Sequence, residues 1–138
     1  MIVITCLDDD NGMFFNKRRQ SRDEEVIKDI LENTDKKIWM NQYSAKLFEP
    51  FQPSKLIVED DFFNCLKKGD YCFVENYNLK SQEDRIEYII IYRWNRKYPA
   101  DVYFDIDLIA EEWELVDTKE FRGGSHDKIT REIYRRKI

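Results

Sequence analysis

The chain alternates between short apolar runs rich in β-branched residues and one segment whose apolar positions recur at helical spacing. Ile2–Leu7 is a largely apolar run, the composition of a strand that is covered on both faces of a sheet. Residues 26–31 place apolar side chains on one stripe and charged ones on the other, which predicts an amphipathic helix that opens near Ser21 or Asp23. The chain is therefore predicted to leave a central strand, form a loop and enter a helix.

The same pattern predicts the remaining elements. Further strands are predicted at residues 38–40, 55–58, 71–74 and 86–94, a short helix capped by Ser44, a helix over residues 60–69, and an antiparallel hairpin over residues 113–136. Together they predict a three-layer α/β domain: a mixed, mainly parallel sheet flanked by helices, with an antiparallel C-terminal hairpin. The predicted core is Ile4, Ile27, Ile30, Ile38, Met40, Phe63, Leu66, Phe73, Ile89, Ile91 and Trp113.

Composition favours a single domain spanning residues 1–138. Of the 138 residues 42% are hydrophobic, enough to bury a core without disulfides or metal. Charged residues make up 37%, yet the net charge is only -5. The overall electrostatic field of the protein therefore does not favour binding to nucleic acid or to an anionic membrane. The three cysteines, Cys6, Cys65 and Cys72, lie in apolar surroundings and are expected to be reduced core thiols. No segment reaches the length of a membrane span, so a cytoplasmic location is expected.

The loop between the first strand and the first helix carries the densest set of candidate functional residues. Gly12 gives backbone freedom, Phe14 and Phe15 supply apolar bulk, and residues 17–19 are three successive cations. Asp23, at the start of the helix, is suited to hydrogen-bond a polar heterocycle in a crevice at the end of a central strand. The alternative is that Asp23 and its neighbours only cap the helix, because such side chains stabilise a helix N-terminus.

This loop is predicted to form one wall of a cleft in which Asp23 is partly buried. Desolvation is expected to raise the pKa of Asp23 unless Arg19 or Arg22 pairs with it. The predicted lining residues are Leu7, Phe14, Phe15, Asp23, Ile27 and Tyr43. The aromatic rings of this lining can stack on a planar ligand and the carboxylate of Asp23 can hydrogen-bond to it, so the favoured ligand is a small planar heterocycle.

Two stretches of the sequence are distinctive in the order of their elements. The first runs from the apolar first strand through a loop containing Asn-Gly-Met to an acid that opens a helix, and then to IWMNQYSAKLF. The second is YIIIYRWNRKYPADVYFDIDLIAEEWELVDTKEF followed by ITREIYRRK. The first stretch resembles the first half of dihydrofolate reductase, and the second is similar to the closing strands of that family. The resemblance implies a dihydrofolate reductase-like fold. In a catalytic member Asp23 would hold the heterocycle and assist its protonation, while NADPH would deliver hydride.

The resemblance also shows where this chain departs from the family's cofactor site. The family holds the cofactor phosphates with a Gly-Arg pair and a Thr, where this chain has Asn41, Gln42 and Ser44. Ser44 is therefore the cofactor-binding candidate, with simple helix capping as its alternative. The family's diphosphate-facing glycine pair corresponds to Glu75 and Asn76, and a carboxylate there repels phosphate. The resemblance thus implies a shortened, divergent member in which no cofactor is expected.

Two further features bear on function. Cations and rings interleave from Arg93 to Tyr98, a pattern that can bind single-stranded nucleic acid, although a solvated strand end is the simpler interpretation. His126 is the only histidine, which argues against a histidine-based metal site and against a Ser-His-Asp triad.

The sequence therefore favours a dihydrofolate reductase-like protein that is not an active reductase and keeps a small-heterocycle pocket at the first loop. One alternative is an NADPH-dependent pterin or pyrimidine reductase that uses Asp23. Another is a nucleic-acid-binding or protein-interaction module that uses the cluster from Arg93 to Tyr98. No metal and no membrane partner are expected, and the sequence does not identify a protein partner.

Overall fold

A computed structural model describes residues 1–137 of the chain. The strands are β1 (Ile2–Leu7), β2 (Gly12–Phe15), β3 (Arg18–Arg19), β4 (Ile38–Met40), β5 (Leu56–Val58), β6 (Tyr71–Phe73), β7 (Tyr88–Arg93), β8 (Val102–Tyr103), β9 (Trp113–Phe121) and β10 (Ile129–Arg136). The helices are α1 (Glu24–Asn33) and α2 (Gln42–Phe48), with short 3₁₀ turns at Glu49–Phe51, Phe62–Asn64 and Lys80–Arg85.

The main sheet has seven strands in the order β5-β4-β6-β1-β7-β10-β9. β1 lies between β6 and β7 and is parallel to both, and β4 is parallel to β5 and β6. β10 runs antiparallel to β7 and β9. The sheet is therefore mixed and mainly parallel with an antiparallel C-terminal strand pair, which confirms the predicted fold class and the central position of β1.

Successive side chains of the central strands point to opposite faces of the sheet, so the core is divided between these two faces. Ile4 and Phe73 belong to a cluster that also includes Ile27 of α1 and Phe48 of α2. Their chain neighbours, such as Val3, point to the opposite face, as expected for a strand with a period of two residues. Both α-helices therefore cover one face. The 3₁₀ turn Phe62–Asn64 and a small sheet of order β3-β2-β8 contribute to the other.

Four predictions of local structure or burial are wrong. The predicted helix over residues 60–69 is reduced to the 3₁₀ turn Phe62–Asn64. The first loop is not irregular, because it contains β2 and β3. Of the predicted core residues only Phe63 is not buried, and Cys65 is exposed rather than in the core.

Candidate functional site

Asp23 is the N-cap of α1 and is bound by the turn between β9 and β10. Its Oδ1 accepts hydrogen bonds from the backbone N–H groups of Glu25, at 2.9 Å, and Gly124, at 2.8 Å. Its Oδ2 accepts one from the N–H of Ser125 at 2.9 Å and lies 2.9 Å from Nδ1 of His126. Only 4% of Asp23 is exposed, and a carboxylate offers about four acceptor positions. The protein itself therefore occupies the hydrogen-bonding capacity of Asp23.

The glycines of this turn permit its close approach to Asp23. A Cβ atom at Gly123 would lie 2.4 Å from Oδ2 of Asp23 and 2.8 Å from the carbonyl oxygen of His126. Real Cβ atoms essentially never approach other atoms this closely. The turn could not contact the carboxylate in this way with a side chain at that position.

His126 connects Asp23 to two hydroxyl groups. The residue is 5% exposed, and its ring stacks on Trp94 with ring centroids 4.7 Å apart. Its Nε2 lies 2.9 Å from the hydroxyl of Tyr98 and 3.1 Å from Oγ of Ser21. A proton on Nδ1, facing the carboxylate, leaves Nε2 as the acceptor. The expectation that a single histidine argues against a Ser-His-Asp arrangement is wrong, because His126 lies between Ser21 and Asp23.

This environment lowers the pKa of Asp23. Burial favours the protonated form, but hydrogen bonds from Gly124, His126, Ser125 and Glu25 outweigh it and lower the pKa to about 2. The expected rise in pKa is therefore wrong. Three of these four donors come from a turn that is distant in sequence and the fourth from α1 itself, and none is a cation of the first loop.

The lowered pKa predicts a loss of stability in acid. The folded pKa of Asp23 is about 2 and its ordinary value is 3.8. The stabilisation is therefore present above the ordinary value and is lost as the pH falls through the folded value. The shift corresponds to about 2 kcal/mol. We therefore expect the free energy of unfolding of the natural chain, measured by urea denaturation, to fall by about 2 kcal/mol more between about pH 5 and about pH 2 than that of Asp23→Asn, whose side chain does not ionise. Equal losses in the two proteins would contradict this.

A second polar group closes the crevice at the carboxyl ends of β1, β4 and β6. Arg19 donates to both carboxylate oxygens of Glu75, from Nε at 2.7 Å and from Nη2 at 2.8 Å. The hydroxyl of Ser44 donates to the same carboxylate at 2.8 Å. The guanidinium carbon of Arg19 lies 4.4 Å from the ring centroid of Tyr43. Arg19 is thus fixed by a two-point ion pair and an aromatic face.

Between Asp23 and this ion pair the crevice is almost filled. The cavity that remains has a volume of about 10 Å³, roughly the room that one ordered water needs. Asp23 and Ile27, both predicted cleft residues, line this inner cavity together with Arg19 and Glu75. A drug-sized ligand needs a few hundred Å³ or more, so the inner cavity does not accommodate a heterocycle in this conformation.

A more open space lies outside the ion pair, and we refer to it as the outer cleft. Its lining residues are Phe14, Lys17, Asn41, Tyr43, Glu75, Asn76 and Tyr77. Phe14 and Tyr43, both predicted cleft residues, therefore line the outer cleft rather than the cavity beside Asp23. Leu7 is fully buried and Phe15 is 44% exposed. Within the described part of the chain, neither Leu7 nor Phe15 lines the inner cavity or the outer cleft.

Ser44 does not cap α2. The N-cap is Asn41, whose side-chain oxygen accepts a hydrogen bond from the N–H of Ser44 at 2.8 Å. The capping interpretation of Ser44 is therefore wrong, and its buried hydroxyl donates to Glu75 instead. A contact between Ser44 and a cofactor stays a prediction, and it requires the hydroxyl to leave Glu75.

Sequence reasoning missed two parts of this site. Glu75 was identified only as a residue that repels phosphate, not as the partner of Arg19. The turn that holds Gly124 and His126 was identified only as a hairpin connection. A signal was present in the sequence, because a glycine pair followed by Ser-His supplies backbone donors and an imidazole at one place.

The cluster from Arg93 to Tyr98 does not form an exposed aromatic platform. Arg93 pairs with Glu132 at 2.9 Å, and Lys97 lies 3.4 Å from a carboxylate oxygen of Asp10. Trp94 is only 4% exposed, so its face is not free to stack on a base. The geometry therefore favours the simpler interpretation of a solvated strand end.

Three other observations concern metals, membranes and thiols. Among residues 1–137 no group of three or more His, Cys, Asp or Glu is placed to hold a metal ion. None of the helices described is both long enough and apolar enough to cross a membrane. The three cysteines are free, and burial raises the pKa of Cys72 to about 12.

The sheet order and the crevice together correspond to a known fold. Among solved structures, dihydrofolate reductase from Enterococcus faecalis complexed with NADP(H) and RAB-propyl matches with a TM-score of 0.68 and 14% identity, covering 99% of this chain and 96% of that chain. No family model matches the sequence, and no match was found among curated proteins. The likeness confirms the dihydrofolate reductase-like fold that the sequence resemblance implied. A fold does not by itself define an activity.

Proposed function

We propose that this protein binds a small planar heterocycle beside its first loop and does not reduce dihydrofolate. The observation that carries the proposal is the ion pair between Arg19 and Glu75 at the carboxyl ends of the parallel strands. In open α/β sheets this crevice is where ligands bind. Here Glu75 engages both the guanidinium of Arg19 and the hydroxyl of Ser44, so neither of these two groups is free to bind a diphosphate.

The outer cleft supplies the groups that a planar heterocycle needs. The rings of Phe14 and Tyr43 meet edge to face with centroids 5.6 Å apart, and Tyr43 is 39% exposed. The amide of Asn41 donates to the hydroxyl of Tyr77 at 2.8 Å. Aromatic surface and amide, hydroxyl and carboxylate groups therefore converge, which suits stacking combined with hydrogen bonds to ring nitrogens.

A direct contact between Asp23 and the ligand stays a prediction. Three of the four hydrogen-bond donors around Asp23, from Gly124, Ser125 and His126, would first have to withdraw with the turn that carries them. Glu75 already lines the outer cleft. We therefore favour Glu75 over Asp23 as the carboxylate that accepts a hydrogen bond from the heterocycle.

Isothermal titration calorimetry with pterin and pyrimidine fragments tests the proposed site. Tyr43→Ala removes an accessible ring from the outer cleft and should weaken binding about tenfold, the loss expected for a stacked aromatic contact. Tyr103→Ala is the matched control, because Tyr103 is a 50% exposed tyrosine on β8. Fragments that fail to bind, or that bind equally well to Tyr43→Ala, would reject the outer cleft as the ligand site.

We expect neither tight NADPH binding nor dihydrofolate-dependent oxidation of NADPH under conditions in which a typical dihydrofolate reductase is active. Opening the crevice for a dinucleotide separates Arg19 from Glu75, a largely buried ion pair for which we expect a coupling energy of about 1.5 to 3 kcal/mol. Fluorescence titration and the decrease in NADPH absorbance measure the two effects. Dihydrofolate-dependent turnover that disappears in Asp23→Asn would establish the reductase alternative instead.

A further inference from the structure

Three neighbouring side chains have the arrangement of a serine hydrolase triad. Ser21 is in the position of the nucleophile, His126 in that of the general base, and Asp23 in that of the carboxylate that orients the base. Oγ of Ser21 lies 3.1 Å from Nε2 of His126, and Nδ1 of His126 lies 2.9 Å from Oδ2 of Asp23. In such a triad the imidazole accepts the hydroxyl proton and the carboxylate stabilises the resulting cation. We propose that Ser21 is an acylatable nucleophile and that the protein hydrolyses small esters that carry a carboxylate group.

The base of this triad is held in one orientation. The ring of His126 is stacked on Trp94 with an interplanar angle of 22°. Asp23, the positioning residue, is fixed in turn by the backbone N–H groups of Gly124 and Ser125. A nucleophile and base that are aligned before substrate binds lower the entropic part of the barrier.

Ser21 borders an open cleft of positive charge. The residues that line this basic cleft are Lys17, Arg18, Arg19, Ser21, Arg22 and Tyr43. Arg19 is paired with Glu75, but within residues 1–137 the other three cations make no ion pair. Unneutralised cations beside the nucleophile attract and orient a substrate that carries a carboxylate.

A donor for the developing oxyanion is also placed near the nucleophile. The backbone N–H of Arg22, the residue after Ser21, has no acceptor in the part of the chain that the structure describes. In hydrolases with a serine nucleophile, the N–H of the following residue is one of the groups that stabilise the oxyanion.

The reaction uses only ester and water. Oγ of Ser21 attacks the ester carbonyl carbon while its proton passes to Nε2 of His126. The ester C–O bond then breaks, and the departing alcohol takes that proton. Water attacks the acyl-Ser21 carbonyl, again giving a proton to His126, which returns it to Oγ as the carboxylic acid leaves.

Tyr98 makes the proposal sharply testable. Its hydroxyl lies 2.9 Å from Nε2 of His126 and 3.4 Å from Oγ of Ser21. With the proton on Nδ1, Nε2 has a single lone pair, so the two hydroxyls compete for it. Tyr98→Phe keeps the ring and removes the competitor. It should therefore raise the reactivity of Ser21 by about two- to tenfold, the factor that one hydrogen bond represents.

The experiment compares the natural chain with Ser21→Ala, Tyr98→Phe and the exposed control Ser81→Ala. Each protein is treated with a fluorophosphonate, followed by mass spectrometry of its peptides, and is assayed with 4-nitrophenyl hemisuccinate and with neutral 4-nitrophenyl acetate. We expect labelling at Ser21, no labelling in Ser21→Ala, faster labelling in Tyr98→Phe and no change in Ser81→Ala. The hemisuccinate should be the better ester, and Arg22→Gln should reduce that preference.

Several outcomes would overturn the proposal. These are the absence of labelling, labelling or hydrolysis that persists in Ser21→Ala, and slower labelling in Tyr98→Phe. Circular dichroism and urea denaturation identify any variant that has lost its fold. Because Tyr98→Phe is expected to gain reactivity, unfolding cannot imitate the predicted result. A hydrogen-bond network with only a structural role would change stability in these variants and leave Ser21 unlabelled.

Discussion

Replacing Asp23 with Ala is expected to lower the free energy of unfolding by about 3 to 5 kcal/mol. The substitution removes the N-cap of α1 and leaves the N–H groups of Gly124 and Ser125, and the ring of His126, without their acceptor. A buried donor without a partner costs about 1 to 3 kcal/mol, and here several lose their partner together. Urea denaturation at neutral pH measures the loss.

The matched control for Asp23→Ala is Asn41→Ala. Asn41 is the N-cap of α2 and accepts a hydrogen bond from the N–H of Ser44. Its amide also donates to the hydroxyl of Tyr77, but it accepts no set of backbone donors from a distant turn. Losing the cap and this one side-chain hydrogen bond is expected to cost about 1 to 2 kcal/mol. If Asp23→Ala were no worse than Asn41→Ala, Asp23 would act as a cap and the turn between β9 and β10 would contribute little to stability.

The strands could be predicted because their signal is local. β1 and β7 are continuous runs of β-branched and aromatic residues, and such runs favour buried strands wherever they occur. The segment at residues 60–69 also has an apolar spacing compatible with a helix. There, however, the rings of Phe62 and Phe63 both pack on Tyr77, with centroids 5.2 Å away in each case. These contacts need only one 3₁₀ turn, and the sequence pattern cannot distinguish that turn from a longer helix.

The candidate site could be predicted only in part, because its decisive contacts join residues that are distant in sequence. The carboxylate at the start of α1 was identified from its loop. Its partners in the turn depend on how β10 aligns with β7 and β9, which periodicity does not specify. Arg19 likewise meets Glu75 only because the first loop folds over the end of β6. Charge patterns show that such residues exist, but they do not show which pairs form.

A double-mutant cycle on Arg19 and Glu75 should give the second large effect. Arg19→Ala leaves the carboxylate of Glu75, whose side chain is 10% exposed, without its cation. Glu75→Ala leaves the guanidinium without its acceptor. Each single substitution is expected to cost about 2 to 4 kcal/mol, toward the lower part of the range for buried pairs because the Arg19 side chain is 18% exposed.

The double variant leaves neither charge unpaired, so it should cost clearly less than the sum of the single variants, with a coupling of about 1.5 to 3 kcal/mol. The exposed pair Lys128 and Glu120, whose side chains are 56% and 61% exposed, is the control and should couple by about 0 to 1 kcal/mol. Equal coupling in the two pairs would mean that Arg19 and Glu75 are no more than a surface contact. The crevice would then be easily opened, which would remove the structural argument against cofactor binding.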